Sequence, residues 1–418
     1  MKPFGPAYLV AMCTIAVPTV ISAQSYETGG IQLTFGAALG LEATDNSDFM
    51  ATETQTRIAP YAGLTFGLLS ATPASSFGID ASAEVRESVS DDSIKIATPR
   101  LSTRYDRSSA NATLNLSASA QITDLSQENG GIVDASGLSG SITGTATRRA
   151  TTASASLIWG QTSRVTYGFG TSYVDNTYTG GTATGLDGTA LDDNRRLTLD
   201  GMVTFDLTKA TELKTSLSYS VFEATDTADQ SETVILNTGI SIDRPLGAVT
   251  ADFAIADLDA GQQYSLSFGR SLALPAGVAS GTIGVTSDSE NQIALTATVS
   301  ARRDLPNGSL SLDISRQVSS LNEQDTSQLT TQISTDYSQA LTSLTTLQVG
   351  LDLVQTEDVA SNKTSQSTGL EASVSQTLTE DWAADAGYRY RSVDDTPGDT
   401  AQSNTIFVEL RRVFVTRY

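Results

Sequence analysis

From Gly30 to Tyr418 apolar residues recur at every second position, in run after run, with turn-forming residues between the runs. Side chains of a strand alternate between its two faces, so each run has one face suited to hydrocarbon and one suited to water. The first run puts Ile31, Leu33, Phe35, Ala37, Leu39 and Leu41 on one face, and the second answers with Ile58, Ala62, Leu64, Phe66 and Leu68. The last is the clearest. Ile406, Val408, Leu410, Phe414 and Tyr418 share a face, while Glu409 and Arg411 put charge on the other. Runs of about 9–13 residues are what a tilted strand needs to cross a bilayer.

Similar runs follow at Phe77–Val85, Ala112–Ala120, Val165–Tyr173, Leu197–Phe205, Leu213–Val221, Val234–Ile242 and Ile293–Ala301. The connections between runs are of two kinds. Short turns rich in Pro, Gly, Asn and Asp fall near residues 71–73, 106–108, 160–163, 207–209, 244–247, 275–277, 304–308, 340–342 and 379–381. Longer acidic loops fall near 43–55, 123–140, 176–194, 224–232, 319–327, 356–365 and 394–403. The pattern predicts an all-β chain, a transmembrane antiparallel up-and-down β-barrel of about 20 strands (18–22), with short turns at one end and long loops at the other. Residues 24–418 are expected to form that single domain, its last strand closing against the first near Ile31–Leu41.

Hydrophobic content is 39%, and no later apolar run approaches the length of a membrane-spanning helix. A β-solenoid would need a fixed repeat with a constant turn formula, and the turn spacing here drifts. Sandwich domains would need boundaries of their own, and the composition does not shift along the chain. Residues 1–23 read as a secretory signal, with Lys2 before an apolar stretch and Ile21-Ser-Ala23 before Gln24. Cleavage there would remove Cys13, the single cysteine, and leave too short a lead to the first strand for a folded N-terminal plug. Aromatic residues, among them Phe35, Tyr61, Tyr167, Tyr173, Tyr219, Phe222, Trp382, Tyr388 and Phe407, are expected in girdles at the two membrane interfaces.

If the apolar parity meets lipid, the other parity lines the lumen. The candidate pore-lining residues are Arg57, Asp80, Glu84, Arg86, Arg100, Arg104, Arg196, Asp200, Lys214, Asp252, Asp313, Asp352, Glu371, Asp385, Arg389, Arg391, Glu409 and Arg411. A Lys or Arg on the lipid side near the midplane would cost about 2–4 kcal/mol, so such residues require water. Each could serve a selective pore or merely hold the wall together by cross-strand ion pairing. Arg412 falls on the apolar parity, which predicts a place near an interface or a snorkelling side chain. The loops at 123–140 and 176–194 are long enough either to fold into the lumen or to stand as a solvated rim.

The net charge of −22 excludes nucleic acid as a partner. The chain has no histidine and, once cleaved, no cysteine, so no Ser-His-Asp, Cys-His or histidine-based metal site can form. No cofactor, metal site or catalytic residue is predicted. No segment has an EF-hand or nonapeptide calcium repeat, and cation binding by the acidic loops would be loose and linked to lipopolysaccharide.

The chain resembles the porin-like outer-membrane β-barrels of Gram-negative bacteria, and among them the β-barrel porin type 2 proteins. The likeness lies in Leu39-Gly-Leu-Glu-Ala-Thr-Asp-Asn-Ser-Asp48, a first strand running into an Asp-Asn loop. It lies also in turn-plus-strand units such as Leu207-Thr-Lys-Ala-Thr-Glu-Leu-Lys-Thr-Ser-Leu-Ser-Tyr219. A terminal strand carrying Phe414 and Tyr418 is similar to the C-terminal signal read by the barrel assembly machinery, although Arg412 and Thr416 depart from its apolar pattern. The resemblance implies an outer-membrane location, contact with lipid and lipopolysaccharide, and a passive channel for small hydrophilic solutes or saccharides. Two alternatives stay open, an exopolysaccharide export conduit with export partners, and a surface barrel that displays acidic loops for adhesion. Oligomeric state is not legible.

Overall fold

In a computed structural model of the chain, the described residues are 30–47, 49, 56–87, 94–125, 132–133, 139–140, 146–180, 193–225, 230–259, 261–287, 292–320, 327–358, 364–396 and 400–418. The expected signal segment lies outside them, as does much of the long loops. Twenty strands form one antiparallel sheet. They are β1 (Gly30–Thr44), β2 (Arg57–Ala71), β3 (Ser75–Glu87), β4 (Ile94–Ser108), β5 (Ala112–Asp124), β6 (Thr147–Trp159) and β7 (Val165–Thr179). Then come β8 (Asn194–Thr208), β9 (Thr211–Ala224), β10 (Gln230–Arg244), β11 (Gly247–Leu258), β12 (Gly261–Leu274), β13 (Gly277–Ser287) and β14 (Ile293–Leu305). The last are β15 (Gly308–Ser320), β16 (Ser327–Ala340), β17 (Thr345–Asp358), β18 (Thr364–Thr377), β19 (Trp382–Thr396) and β20 (Thr400–Arg417).

Each strand pairs with its neighbours in sequence, and β20 pairs with β1, from Gln32 opposite Arg417 to Thr44 opposite Thr405. The sheet therefore closes on itself and has no free edge. Closure also brings the termini of the wall together: Ile31 N donates to Tyr418 O at 3.1 Å and Tyr418 N donates to Ile31 O at 2.9 Å.

The register sorts the two faces. Leu39 lies opposite Ala62 and Leu410, and Phe35 opposite Phe66 and Phe414, so the apolar parity of three strands is one continuous surface. These residues are exposed, with Leu39 at 65% and Ile293 at 79%, and they cover the convex side. A soluble fold does not leave such a belt open to water. The opposite parity is concave and crowded, with Thr356, Ser365 and Ser367 almost fully buried.

One strand switches parity. In β4 the outward residues are Ile96 above and Leu101, Thr103 and Tyr105 below, because a bulge between Ser82 and Glu84 of β3 absorbs an extra residue of β4. Thr98 takes φ of 46° at that point, and the following Pro99 has no N–H to contribute to a ladder.

The expected strand number is met, with differences in the connections. Residues 106–108 continue β4, and the turn there falls at Ser109–Asn111 instead. Breaks between β3 and β4, β11 and β12, and β13 and β14 were not anticipated. The break between β11 and β12 is only two residues long, whereas Asp288-Ser-Glu-Asn-Gln292 between β13 and β14 is a polar run that the same turn chemistry marks as a loop.

Candidate functional site: the polar lumen

Every charged residue predicted to face water sits on the concave register. The densest cluster spans the closure. Across five strands, Arg86, Tyr61, Gly40, Glu409 and Asp385 stand side by side in one row. Gly40 leaves a gap over which the Tyr61 ring lies, since a Cβ there would overlap the ring. Tyr61 Oη thereby reaches Glu409 Oε2 at 3.0 Å, two strands away. The Arg86 guanidinium lies over the Tyr61 ring at 5.6 Å, is 3.7 Å from Glu42 and also contacts Glu84. On the other side Arg411 Nε is 3.2 Å from Asp385, and Arg389 Nε donates to Glu371 at 3.0 Å beneath the Phe407 ring. These cations are matched within the wall, which lets them sit mostly shielded from water.

The rest of the lumen is different. Along the middle of β5 and β6 the concave residues are hydroxyls and amides, with Ser117 to Ser154 and Ser119 to Thr152 both at 2.7 Å and Asn115 Nδ2 donating to Ser156 at 3.2 Å. Thr282 and Thr298 repeat the arrangement on β13 and β14 at 2.6 Å. On β15–β17, Asp313 and Asp352 both lie opposite Ser334, with Asp336 one inward position away; no ion pair engages the three among the described residues. Asp252 leans over Gly239, whose other neighbour in the row is Lys214. The lumen thus has a charge-matched sector at the closure, neutral hydroxyl sectors and one unmatched acidic sector.

A turn of the loop after β1 enters the loop-side mouth. Phe49, 1% exposed, packs on Val393 and Ala401 from the concave face, and the Arg391 guanidinium stacks on its ring at 4.2 Å. The segment is pinned to β20. Asn404 donates to both carboxylate oxygens of Asp45, through its backbone N and its side-chain Nδ2, each at 2.7 Å. Asn46 Nδ2 donates to Gln402 O at 2.8 Å, and Ser403 Oγ donates to Asn46 O at 3.2 Å. From the loop after β5, a short ladder pairs Ile132–Val133 with Ser139–Gly140, and its second strand lies against β17 across the barrel. That is the loop at 123–140 expected either to fold in or to stand out; residues 181–192 lie outside the described residues.

The expected aromatic girdles need a correction. Tyr61, Phe222 and Phe407 point into the lumen, because each sits on the concave register and fills space there, Phe222 to 1% exposure. The outward tyrosines do bracket the belt. Tyr173, Tyr264 and Tyr388 donate to Asp175, Gln262 and Asn404 at 3.2, 2.6 and 2.6 Å, all toward the loop end. At the turn end Trp159 stacks on Tyr167 at 5.4 Å. Arg412 is on the outward face, as its parity implied. It lies over Phe414 at 4.1 Å and Trp382 at 5.2 Å and reaches Asp381 of the adjoining turn at 3.8 Å, which places it at the turn-side interface.

Sequence reading missed Glu42, Asp106, Arg148, Arg302 and Asp336, which share the concave register with the predicted set. The same parity rule would have found them. Phe49 had no signal, since its position depends on a loop crossing from β1 to β20.

No protein-family model matches the chain, so the finer likeness to β-barrel porin type 2 proteins has no match behind it, and no curated protein matches either. Solved structures do resemble it. The ferric enterobactin receptor PfeA from Pseudomonas aeruginosa superposes with a TM-score of 0.50 at 10% identity, over 91% of this chain and 81% of the receptor. The siderophore receptor PirA from Pseudomonas aeruginosa gives 0.49 at 12% identity, over 91% and 80%. Pseudomonas aeruginosa OccK3 (OpdO) gives 0.41 at 14% identity, over 92% and 96%. At such identities the likeness concerns fold alone. That fold is the closed transmembrane β-barrel of Gram-negative outer membranes.

Proposed function

We propose that this barrel is an outer-membrane channel through which small hydrophilic solutes, saccharides included, pass by diffusion. The observation that carries the reading is the register itself: one parity gives a largely apolar belt and the other a polar wall of hydroxyls, amides and charges. A wall of this kind solvates polar solutes without holding any one of them tightly. The infolded segment at Phe49 and the short ladder against β17 narrow the loop-side mouth and give the channel a size limit. The unmatched acids Asp313, Asp336 and Asp352 bias it toward cations.

Planar-bilayer recording of the refolded barrel is the direct test. Stable conductance steps with a reversal potential favouring cations are expected. Folded protein that inserts without conducting would sink the proposal. Liposome swelling with sugars of graded size would then set the exclusion limit.

A further inference from the structure

Outward arginines are costly in a membrane barrel, and among the described residues three of them have a carboxylate to answer them. Arg195 is paired with Glu223, Arg316 with Glu357 at 3.9 Å and Arg412 with Asp381 at 3.8 Å. Three on alternate strands differ. Arg244 of β10, Arg270 of β12 and Arg303 of β14 all take the lipid-facing register: Arg244 lies opposite Gly247, Arg270 opposite Val249 and Gly281, and Arg303 opposite Gly277 and Leu310. Each is exposed, and none makes an ion pair among the described residues. All three stand close to the short turns that end β10, β12 and β14.

Their surroundings are apolar. On the turn-side halves of β10–β14 the outward positions hold Ile240, Ile242, Val249, Phe268, Leu272, Leu274 and small residues, and among the described residues the three arginines are the only charges there. In a chain with 47 acidic and 25 basic residues, an area with three cations and no acid departs sharply from the average. Beside Arg270 the wall is notched. Gly281 forms the floor, and Phe268, Ile283 and Val299 are among the walls of a groove of ≈ 370 Å³. A groove of that size and polarity suits a stretch of hydrocarbon chain, and the guanidinium at its edge suits a phosphate.

We propose that this collar is a binding site for an anionic glycerophospholipid of the turn-side leaflet. One acyl chain lies in the Gly281 notch and the phosphate is held by Arg270, with Arg244 and Arg303 drawing the headgroup from either side. The arginines then need no protein carboxylate, because the lipid supplies the negative charge. The inference rests on the membrane placement of the barrel and is independent of channel activity.

Native mass spectrometry of the detergent-purified barrel, with phosphatidylglycerol or phosphatidylcholine added, tests it. Wild-type protein should retain phosphatidylglycerol about tenfold more than phosphatidylcholine, with the preference shrinking as salt rises. The combined Arg244→Gln, Arg270→Gln and Arg303→Gln variant should lose the preference, while Gly281→Leu should lower retention of both lipids. Arg107→Gln, on the outward face of β4 far from the collar, should change nothing. Equal retention of the two lipids by wild type would overturn the site whether or not any variant folds. Undiminished preference in a folded triple variant would overturn it too.

Discussion

Tyr61 of the second strand hydrogen-bonds to Glu409 of the last at 3.0 Å, passing over Gly40 of the strand between them. Backbone pairing of β1 with β20 already closes the barrel. Here a side chain bolts the first hairpin to the final strand from inside the lumen. The same joint is tied at the loop end by Asp45 and Asn404 and at the turn end by Ile31 and Tyr418.

A side chain at Gly40 should therefore be tolerated poorly. Gly40→Leu has no room beneath the Tyr61 ring, and it is expected to leave little folded, heat-modifiable barrel on a semi-native gel. Tyr61→Phe keeps the ring and loses a hydrogen bond to a charged group, a deficit of about 1.5–3 kcal/mol readable as a lower urea midpoint. Equal stability of Tyr61→Phe and wild type would contradict the bolt.

Removing Tyr418 deletes both backbone bonds to Ile31 and the last outward aromatic. Outer-membrane levels should fall while the conductance of any barrel that assembles stays unchanged. Replacing Phe414 and Tyr418 with Asp should act in the same direction, because both project from the apolar belt. Normal surface levels in either variant would argue against a role for this end in assembly.

The bulge in β4 predicts an asymmetry between two changes at one position. Deleting Thr98 would turn either Ile96 or the Leu101–Tyr105 set to the wrong face, and folded yield should collapse. Thr98→Gly relieves a left-handed conformation costing about 1–2 kcal/mol, against about 0.5–1 kcal/mol of added chain entropy. Its urea midpoint should equal or slightly exceed that of wild type.

Release of the first loop should widen the mouth. Phe49→Ala removes the ring that Arg391 and Val393 cover, and Asp45→Ala removes the acceptor for Asn404. Both variants should show larger single-channel steps and admit larger sugars in swelling assays, with the combination no greater than about the larger single effect since both act on one segment. Unchanged exclusion limits would mean that the segment does not border the passage.

Ion preference should follow the unmatched acids. Asp336→Asn with Asp352→Asn is expected to move the reversal potential toward anions, whereas Ser117→Ala with Ser154→Ala should leave it in place. A shift of similar size from the serine pair would indicate that selectivity arises elsewhere.

Much of the lumen is legible in the sequence, because a strand's period of two leaves little freedom. Once Ile406, Val408 and Leu410 are taken as lipid-facing, Glu409 and Arg411 must face inward. The same logic applied to Arg57, Asp200 and Glu371. It failed for Tyr61, Phe222 and Phe407, which were grouped with the girdles on aromatic character although their parity pointed to the lumen. It was blind to Phe49, for which no local pattern distinguishes a solvated loop residue from one tucked beneath an arginine.

Strand type, the two faces and the approximate strand number are all written in the chain, since they follow from alternation and turn chemistry within a few residues. Tertiary structure decided which residues stand beside one another. Register places Glu409 next to Gly40 and within reach of Tyr61, although 348 residues separate it from Tyr61 along the chain. The registers of β10 to β14 likewise set Arg244, Arg270 and Arg303 along one side of the wall. Such neighbours depend on the offset between strands, a quantity summed around the whole barrel, and no single segment carries it.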